Sequence, residues 1–351
     1  MSSSPVADYT DPQRFQQEQT AIFEASPQIL AHSSELVEPN SFLRRELNGR
    51  PLLLTRAEDG QARLFLNVCR HRGTRLVDDS EGCRQRFSCP YHAWTWNNRG
   101  DFIGAPHFEV GFPDLDRTTL GLRRIGAVEA YGFIWAMPSS GATTLIDYLA
   151  PLERDLDWLG AQGLTLHATE ARTWQCNWKL LVEGGLEAYH FRVAHRKTIA
   201  ALFNDNLSSY QGFGPHVRSV LPRSTICELK QQAHETWRIR DHANVLYTVF
   251  PTSMLLVQSD HLIWIGLDAQ GPERTHVRVS TLKPTKAKAG DESYWDRNHA
   301  LTVQTLREDF ALAESMQAGM ASGANAALRF GRFEGALHRF NETIRAHLHR
   351  Q

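Results

Sequence analysis

Two short runs constrain this chain more than anything else in it: Cys69-Arg70-His71-Arg72-Gly73-Thr74 and, further along, Ser88-Cys89-Pro90-Tyr91-His92. Each lets one loop present a thiolate and an imidazole together. Two such loops side by side hold either a zinc ion or a [2Fe–2S] cluster in which one iron takes both thiolates and the other both imidazoles. Cys83 is a poorer donor candidate, because Arg86 stands where a histidine three residues on would be needed. With Cys176 and Cys227 the cysteines number five, too few and too irregularly spaced for a disulfide framework.

Around these loops the pattern is that of a small antiparallel β module. Strand-length runs at 42–47, 52–55 and 64–68 are punctuated by Asn48-Gly49 and Asp59-Gly60, and further runs follow at 97–100, 122–128 and 132–137 before a loop at 138–143. Ahead of them, Asp11-Pro12 supplies an N-cap and a first-turn proline for a helix over 13–25. Beyond Leu145 the texture changes to a helical stretch ending at Leu159, a strand at 164–174 and a long helix from Asn177 through Tyr189. Strands at 217–221, 246–250, 253–257, 262–267 and 277–282 follow, then helices at 292–318 and 324–347. The expected fold class is α+β, with a helical arm at 1–38, the β module at 39–150 and a second domain at 151–351.

Charge and composition exclude several roles. Basic residues number 38 and acidic ones 39, and 38 − 39 = −1 leaves no global pull toward nucleic acid or anionic lipid. A composition 42% hydrophobic and 22% charged excludes disorder of the bulk. No apolar run approaches the ~18 residues of a membrane span. Met1 to Arg14 carries no basic segment followed by an apolar one, so the expected location is the cytoplasm.

The second dense patch comprises Asn177-Trp178-Lys179, Glu183, Glu187, Tyr189-His190 and His195. Glu187 and His190 are three apart, so their side chains meet on a helix. His190 and His195 are five apart and cannot share a face of a straight helix, so the helix ends or distorts near Phe191. Read from the residues alone, the two histidines are either metal ligands or structural groups at a helix end.

The first patch resembles the cluster-binding motif of Rieske [2Fe–2S] proteins, including Arg72-Gly73 after the first histidine. Respiratory Rieske proteins carry an extra cysteine in each loop and a membrane anchor; Thr74 and Tyr91 stand at those positions here, which implies a potential in the lower Rieske range. The second patch resembles the mononuclear iron motif of Rieske non-haem iron oxygenases, the ring-hydroxylating oxygenase alpha-subunit family. That resemblance implies cluster ligands Cys69, His71, Cys89 and His92, and iron ligands His190, His195 and an aspartate on a later helix. Glu308-Asp309 followed by Glu314 and Gln317 matches the later pattern, so Asp309 is the expected third ligand and Glu308 its competitor. Glu187 is the expected bridging carboxylate between His190 and the partner subunit's His92. The family often has Asn-Phe where this chain has Gly184-Gly185, so either the helix is looser or the pocket wider.

The resemblance further implies a helix-grip (START-like) second domain, a curved antiparallel sheet with C-terminal helices and the iron site over the sheet. Candidate pocket walls are Phe191, Phe203, Asp205, Tyr210, Phe213, Tyr247, Phe250 and Trp264, of which three or four are expected to face substrate. A Rieske cluster and an Fe(II) with open positions fit the terminal component of a mono- or dioxygenase that hydroxylates a small organic, aromatic, compound with O2. The alternatives are oxidative demethylation of a quaternary ammonium compound and, from another class, a Rieske-type electron carrier without oxygenase activity. No Gly-x-Gly-x-x-Gly occurs, so electrons from NAD(P)H are expected through a separate reductase or ferredoxin. A homotrimer is expected from the resemblance.

Overall fold

The computed structural model describes residues 2–138, 141, 143–287 and 291–349. Two units emerge: Pro27–Leu145, and Met1–Ser26 together with Ile146–Gln351. Ser139, Ser140 and Ala142, from the loop expected at 138–143, lie outside the described residues.

The first unit is built from antiparallel sheets. One of five strands runs Arg124–Ile125, Ala62–Leu66, Arg50–Arg56, Ser41–Leu47 and Glu81–Cys83. Asn48 and Gly49, both at positive φ (54° and 72°), close the two-residue hairpin between Ser41–Leu47 and Arg50–Arg56, as the right-handed strand twist favours. A three-stranded sheet, Arg86–Ser88, Thr95–Asn97 and Phe102–Gly104, carries the second Cys/His loop. Residues 28–32, expected in a helical arm, form a strand instead. It pairs with Phe133–Ala136 and buries Leu30 and Ala31 with Leu43, Leu54 and Leu64. All five residues of that strand are buried, so no alternation marked it in the sequence.

The second unit centres on a seven-stranded antiparallel sheet. Its strands are β1 (Leu164–Trp174), β2 (Ser209–Phe213), β3 (His216–Pro222), β4 (Ala243–Val249), β5 (Ser253–Val257), β6 (Leu262–Gly271) and β7 (Arg274–Pro284), in the order β1-β7-β6-β5-β4-β3-β2. Helices α1 (Pro12–Glu18), α2 (Trp178–Gly185), α3 (Glu292–Met320) and α4 (Gly335–Leu348) accompany it. Side chains alternate along strands, and Val217, Leu246, Met254, Ile263, Ile265 and Val279 share one face. They form one buried cluster with Leu180 and Leu181 of α2, Phe310 of α3 and Phe340 of α4. Each such burial is worth about 1.5–3 kcal/mol. Among the described residues, no helix is long and apolar enough to cross a membrane.

The Asn-Trp-Lys run fixes where α2 begins. The Asn177 side chain caps the helix by accepting from Lys179 N (3.0 Å), and its Nδ2 donates to the Tyr9 and Pro272 carbonyls. Trp178 packs edge-on against Phe23 and Phe340. Lys179, fully buried, donates to Glu18 at 2.6 Å, and Trp178 Nε1 donates to the other Glu18 oxygen. The start of α2 is thus tied to the N-terminal arm and to α4 at once.

The strand expected at 97–100 lies instead at Thr95–Asn97, and three expected helices of the second unit differ from the structure. The helix expected over 324–347 is a strand, Ala327–Phe330, followed by α4; the strand forms because Ser2–Pro5 pairs with it from the far end of the chain. The helix expected over 13–25 is α1 followed by one wider π-turn, Gln19–Phe23. The helix expected through Tyr189 stops at Gly185. There a Cβ would stand 3.1 Å from both Leu246 and Met254, so glycine permits the close approach of α2 to the sheet, whereas a Cβ on Gly184 would meet open space.

Glu183, on α2, is buried and accepts from Tyr9 Oη (2.7 Å) and Asn341 Nδ2 (2.8 Å). Burial outweighs these bonds and raises its pKa from 4.5 to about 7. Because the folded value is the higher one, its stabilising contribution is complete below pH 4.5 and is lost as pH rises through 7. Wild type is therefore expected to lose about 3 kcal/mol relative to Glu183→Gln across that window. Denaturant titrations of both proteins from pH 4.5 to 8 check this, and parallel curves contradict it.

Candidate metal centres

The two Cys/His loops in Pro27–Leu145 are built alike. Cys69 N donates to Thr74 O and Gly73 N to Cys69 O; Cys89 N donates to Trp94 O and Ala93 N to Cys89 O. The fifth residue of each loop, Gly73 or Ala93, sits at positive φ (79° and 54°), which turns the chain back under its cysteine. Both thiols are 3% exposed, and burial raises that of Cys69, with Cys89 beside it raising it further. The His71 and His92 rings lie 4.7 Å apart, and His71 stacks on Trp94.

A specific observation tests whether these residues fit a cluster. His71 Nδ1 and His92 Nδ1 are both buried without a hydrogen-bond partner, a costly state for polar atoms unless something else takes their lone pairs. Two buried thiols and two orphaned imidazole nitrogens on facing loops fit a group taking two sulfur and two nitrogen donors. Cys83 is exposed, its thiol at 3.7 Å from the Pro39 carbonyl; Cys176 is buried elsewhere, with burial pushing its thiol up to about 12.

The second centre lies in the other unit, where α2 ends. After Gly185 the chain turns so that the Glu187 carboxylate accepts from Tyr189 N and from His190 N (3.3 Å), and it also pairs with His190 Nδ1. This fixes the ring with Nε2 pointing away from Glu187. The short helix Phe191–Ala194 then brings His195 round, which resolves the five-residue spacing. His195 Nδ1 faces Glu308 Oε2 at 2.9 Å, and Thr198 Oγ1 donates to that same oxygen. The free Nε2 atoms of His190 and His195 are 3.2 Å apart, and Asp309 Oδ1 lies 3.2 Å and 2.9 Å from them.

That triangle fits a metal ion. Donors at right angles, about 2.1 Å from a divalent ion, stand about 3 Å from one another. The three atoms therefore fit one face of an octahedron. Glu308, adjacent to Asp309, is the outer partner of His195, and Asp309 closes the triangle; such outer carboxylates orient metal-ligating imidazoles. Burial would lower the His190 pKa, but Asp309 and Glu187 outweigh it and raise the value to about 10. The site is thus arranged to hold positive charge.

Glu314 and Gln317 of α3 have a role that sequence spacing did not reveal. Glu314 accepts from Gln175 N (2.7 Å) and Gln317 from Asn177 N (3.0 Å). They clamp α3 to the entry of α2 and so set Asp309 against His190.

Of the pocket candidates, Phe191 stands at the triad and Phe203 packs against Phe191. Phe191 lies 5.0 Å from the His190 ring, 5.4 Å from His195 and 5.4 Å from Phe203, and Leu221, Ile199 and Ala188 complete this apolar group. The other six lie elsewhere. Tyr247 and Trp264 leave the sheet on the face opposite Leu246 and Ile263, where Tyr247 donates to Asp155 and Trp264 to Ser253. Phe250 packs on Phe340 and His347 of α4. Tyr210 is exposed and touches Gly335, and Phe213 lies under Arg218. Asp205 pairs with Arg192 on the surface. Aromatic character was visible in the sequence, but strand parity, which decides the face, required the register. Leu221 and Ile199 carried no signal of their own.

Residues 157–350 match the family model of the ring hydroxylating alpha subunit catalytic domain, and residues 26–116 that of the Rieske [2Fe–2S] domain. The glycine betaine monooxygenase oxygenase subunit of Chromohalobacter salexigens is 30% identical over 239 residues, covering 66% of this chain and 50% of that protein, so the chain spans about half the length of the curated relative. Among solved structures, a quaternary ammonium Rieske monooxygenase described with carnitine oxidation and inter-subunit electron transfer superposes with a TM-score of 0.84 at 24% identity, over 98% of this chain and 95% of that one. Naphthalene 1,2-dioxygenase from Rhodococcus sp. superposes with a TM-score of 0.84 at 21% identity, over 99% and 94%. These likenesses establish the fold as that of the Rieske oxygenase alpha subunits. With a Rieske domain for the [2Fe–2S] cluster and a catalytic domain of the kind that binds mononuclear iron, the chain belongs to the ring-hydroxylating oxygenase alpha-subunit family.

Proposed function

We propose that this chain is the terminal oxygenase component of a multicomponent system, in which O2 and two electrons hydroxylate a C–H bond of a small organic compound: R–H + O2 + 2e⁻ + 2H⁺ → R–OH + H2O. The observation that carries this reading is the His190, His195 and Asp309 triangle, in one chain with two orphaned imidazole nitrogens beside two buried thiols. When bound, the cluster, held by Cys69, His71, Cys89 and His92, supplies electrons singly, and the iron, held by the triangle, supplies open positions for O2 and substrate. The remaining residues position and exclude. Glu187 and Glu308 hold the outer nitrogens of the two imidazoles, and Phe191 and Phe203 keep water from the reacting carbon.

Glu187 is 8% exposed and neighbours the exposed apolar side chains of Tyr189 and Val193, with Phe333 packed on Tyr189. Such a surface supports a subunit contact there, with Glu187 as the bridge to the partner subunit's His92 in a homotrimer. Electrons then arrive from NAD(P)H through a separate reductase or ferredoxin in the cytoplasm. On this reading Glu187→Ala retains both metal centres but slows reoxidation of the reduced cluster by about 10–100-fold; single-turnover stopped-flow measures it, and an unchanged rate removes the bridge.

Oxidation of an N-methyl group is the more specific reading. Similarity to the glycine betaine and carnitine enzymes supports it, as do the two phenyl rings, Phe191 at the triad and Phe203 packed on it, whose faces attract quaternary ammonium. Reductase-coupled O2 consumption across trimethylammonium compounds, aromatic acids and fused-ring hydrocarbons tests it. Substrate-dependent consumption with product hydroxylation is expected, and consumption unaffected by every compound would overturn the oxygenase reading.

A further inference from the structure

The helix-facing side of the seven-stranded sheet is apolar at its centre and polar at one end. Leu221 and Arg223 are two residues apart and so project to one side of the chain, about 7 Å apart along it. Strand register puts Asn244 opposite Leu221, and two-residue steps place it with Leu246 and Thr248 on that same side. Gln258 extends the row that holds Met254 and Leu256, and His261 extends the row of Ile263 and Ile265. The polar end of this face is therefore Arg223, Asn244, Gln258 and His261.

Arg223 is bound there in an unusual way. Its Nε and Nη2 donate to Asn244 Oδ1 (3.1 Å and 2.8 Å), and Nη2 donates to Gln258 Oε1 (3.0 Å). Both acceptors are neutral amide oxygens. The nearby carboxylates are engaged otherwise: Asp260 with His261 and Tyr294, and Asp241 with Arg238. Arg240 adds a second cation, donating to the Gln258 carbonyl and lying over Trp158. A half-buried guanidinium held rigidly by amides, with its positive charge uncompensated by direct pairing, is arranged to receive an anion.

Two further observations place this end beside the apolar group that packs on the triad. Leu221 belongs to the apolar group of Phe191, Phe203 and Ile199, and the Phe203 backbone bridges to Arg223 itself. On the same face, Ser219 Oγ, Thr248 Oγ1 and His261 Nε2 are buried without hydrogen-bond partners, as is Trp295 Nε1, whose ring lies 5.7 Å from that of His261. Buried polar atoms left unpaired on this face call for a polar partner.

We propose that Arg223 anchors a carboxylate of the substrate, so that the compounds oxidised at the triad are small organic acids, reacting at the end remote from the carboxylate. A group held at Arg223 sends its carbon skeleton past Leu221 and Phe203 toward Phe191 and the His190, His195 and Asp309 face. A purely structural arginine would bind no such group.

This inference rests on the oxygenase reading for the place where its substrate reacts, but its test is a binding measurement that stands apart from turnover. Holoprotein is titrated calorimetrically with two matched pairs: benzoate against benzamide, and γ-butyrobetaine against its methyl ester. Wild type is expected to favour the acid of at least one pair tenfold or more. Arg223→Gln should weaken that acid about 10–100-fold while changing the neutral partner less than about twofold. Gln258→Glu, which sets a carboxylate against the guanidinium, should weaken the acid similarly and so covers the case in which Arg223→Gln fails to fold. Absence of acid preference in both pairs, or acid binding unchanged in the folded variants, overturns the anchor. Acid-selective, Arg223-dependent binding in protein that never consumes O2 would sustain the anchor and sink the oxygenase reading instead.

Discussion

His190→Ala is expected to leave the brown colour and Rieske-type EPR signal of the protein intact while turnover falls to background. The ring contributes one of three donors at 2.9–3.2 Å spacing, and its loss leaves Asp309 with a single imidazole and Glu187 with none. Iron should fall from about three to about two atoms per chain, with acid-labile sulfide unchanged at about two. Folding should survive, because His190 is partly exposed in the turn that follows α2 and outside the principal apolar cluster. Iron and sulfide analysis with EPR checks the result. A variant that keeps three irons and normal turnover would show that the triangle is not the second metal site.

Cys89→Ser should do the reverse. The thiol is buried among Trp94, Phe87 and Cys69, and its loss removes a cluster ligand while leaving Cys69, His71 and His92 with no group to share. Because metal binding is coupled to folding, Pro27–Leu145 should become sensitive to proteolysis, while the other unit keeps its single iron. Expected contents are about one iron and no sulfide per chain. Limited proteolysis alongside metal analysis separates this from general misfolding: fragments should arise within 27–145, and a protease-resistant protein with full sulfide would contradict the cluster assignment.

The candidate cluster donors were legible in the sequence because chemistry restricts them to few residue types at tight spacing. Cys69-x-His71 and Cys89-x-x-His92 lie within single loops, so nearness along the chain is nearness in space. Glu187 and His190 are similarly local. Asp309 was reached only through the family resemblance, which the Glu308-Asp309, Glu314 and Gln317 run matches, and the spacing does not reveal that Glu314 and Gln317 act on the backbone of residues 175 and 177. Substrate-facing residues were far less legible. Apolar and aromatic side chains serve equally in a core or a pocket, and Tyr247 and Trp264 differ from Leu246 and Ile263 by one step of strand parity.

Local pattern by itself determined the two Cys/His loops, the meeting of Glu187 with His190, the start of α2 at Asn177-Trp178 and most strands of the second unit, since each depends on neighbours within a few residues; the candidate iron donors His190, His195 and Asp309 were picked out by the family resemblance. Tertiary structure alone decided that 28–32 and 327–330 are strands, that α2 stops at Gly185, and that Arg223 meets Asn244 and Gln258. Those outcomes depend on a partner tens to hundreds of residues away, which supplies the hydrogen bonds and buried area that override local preference.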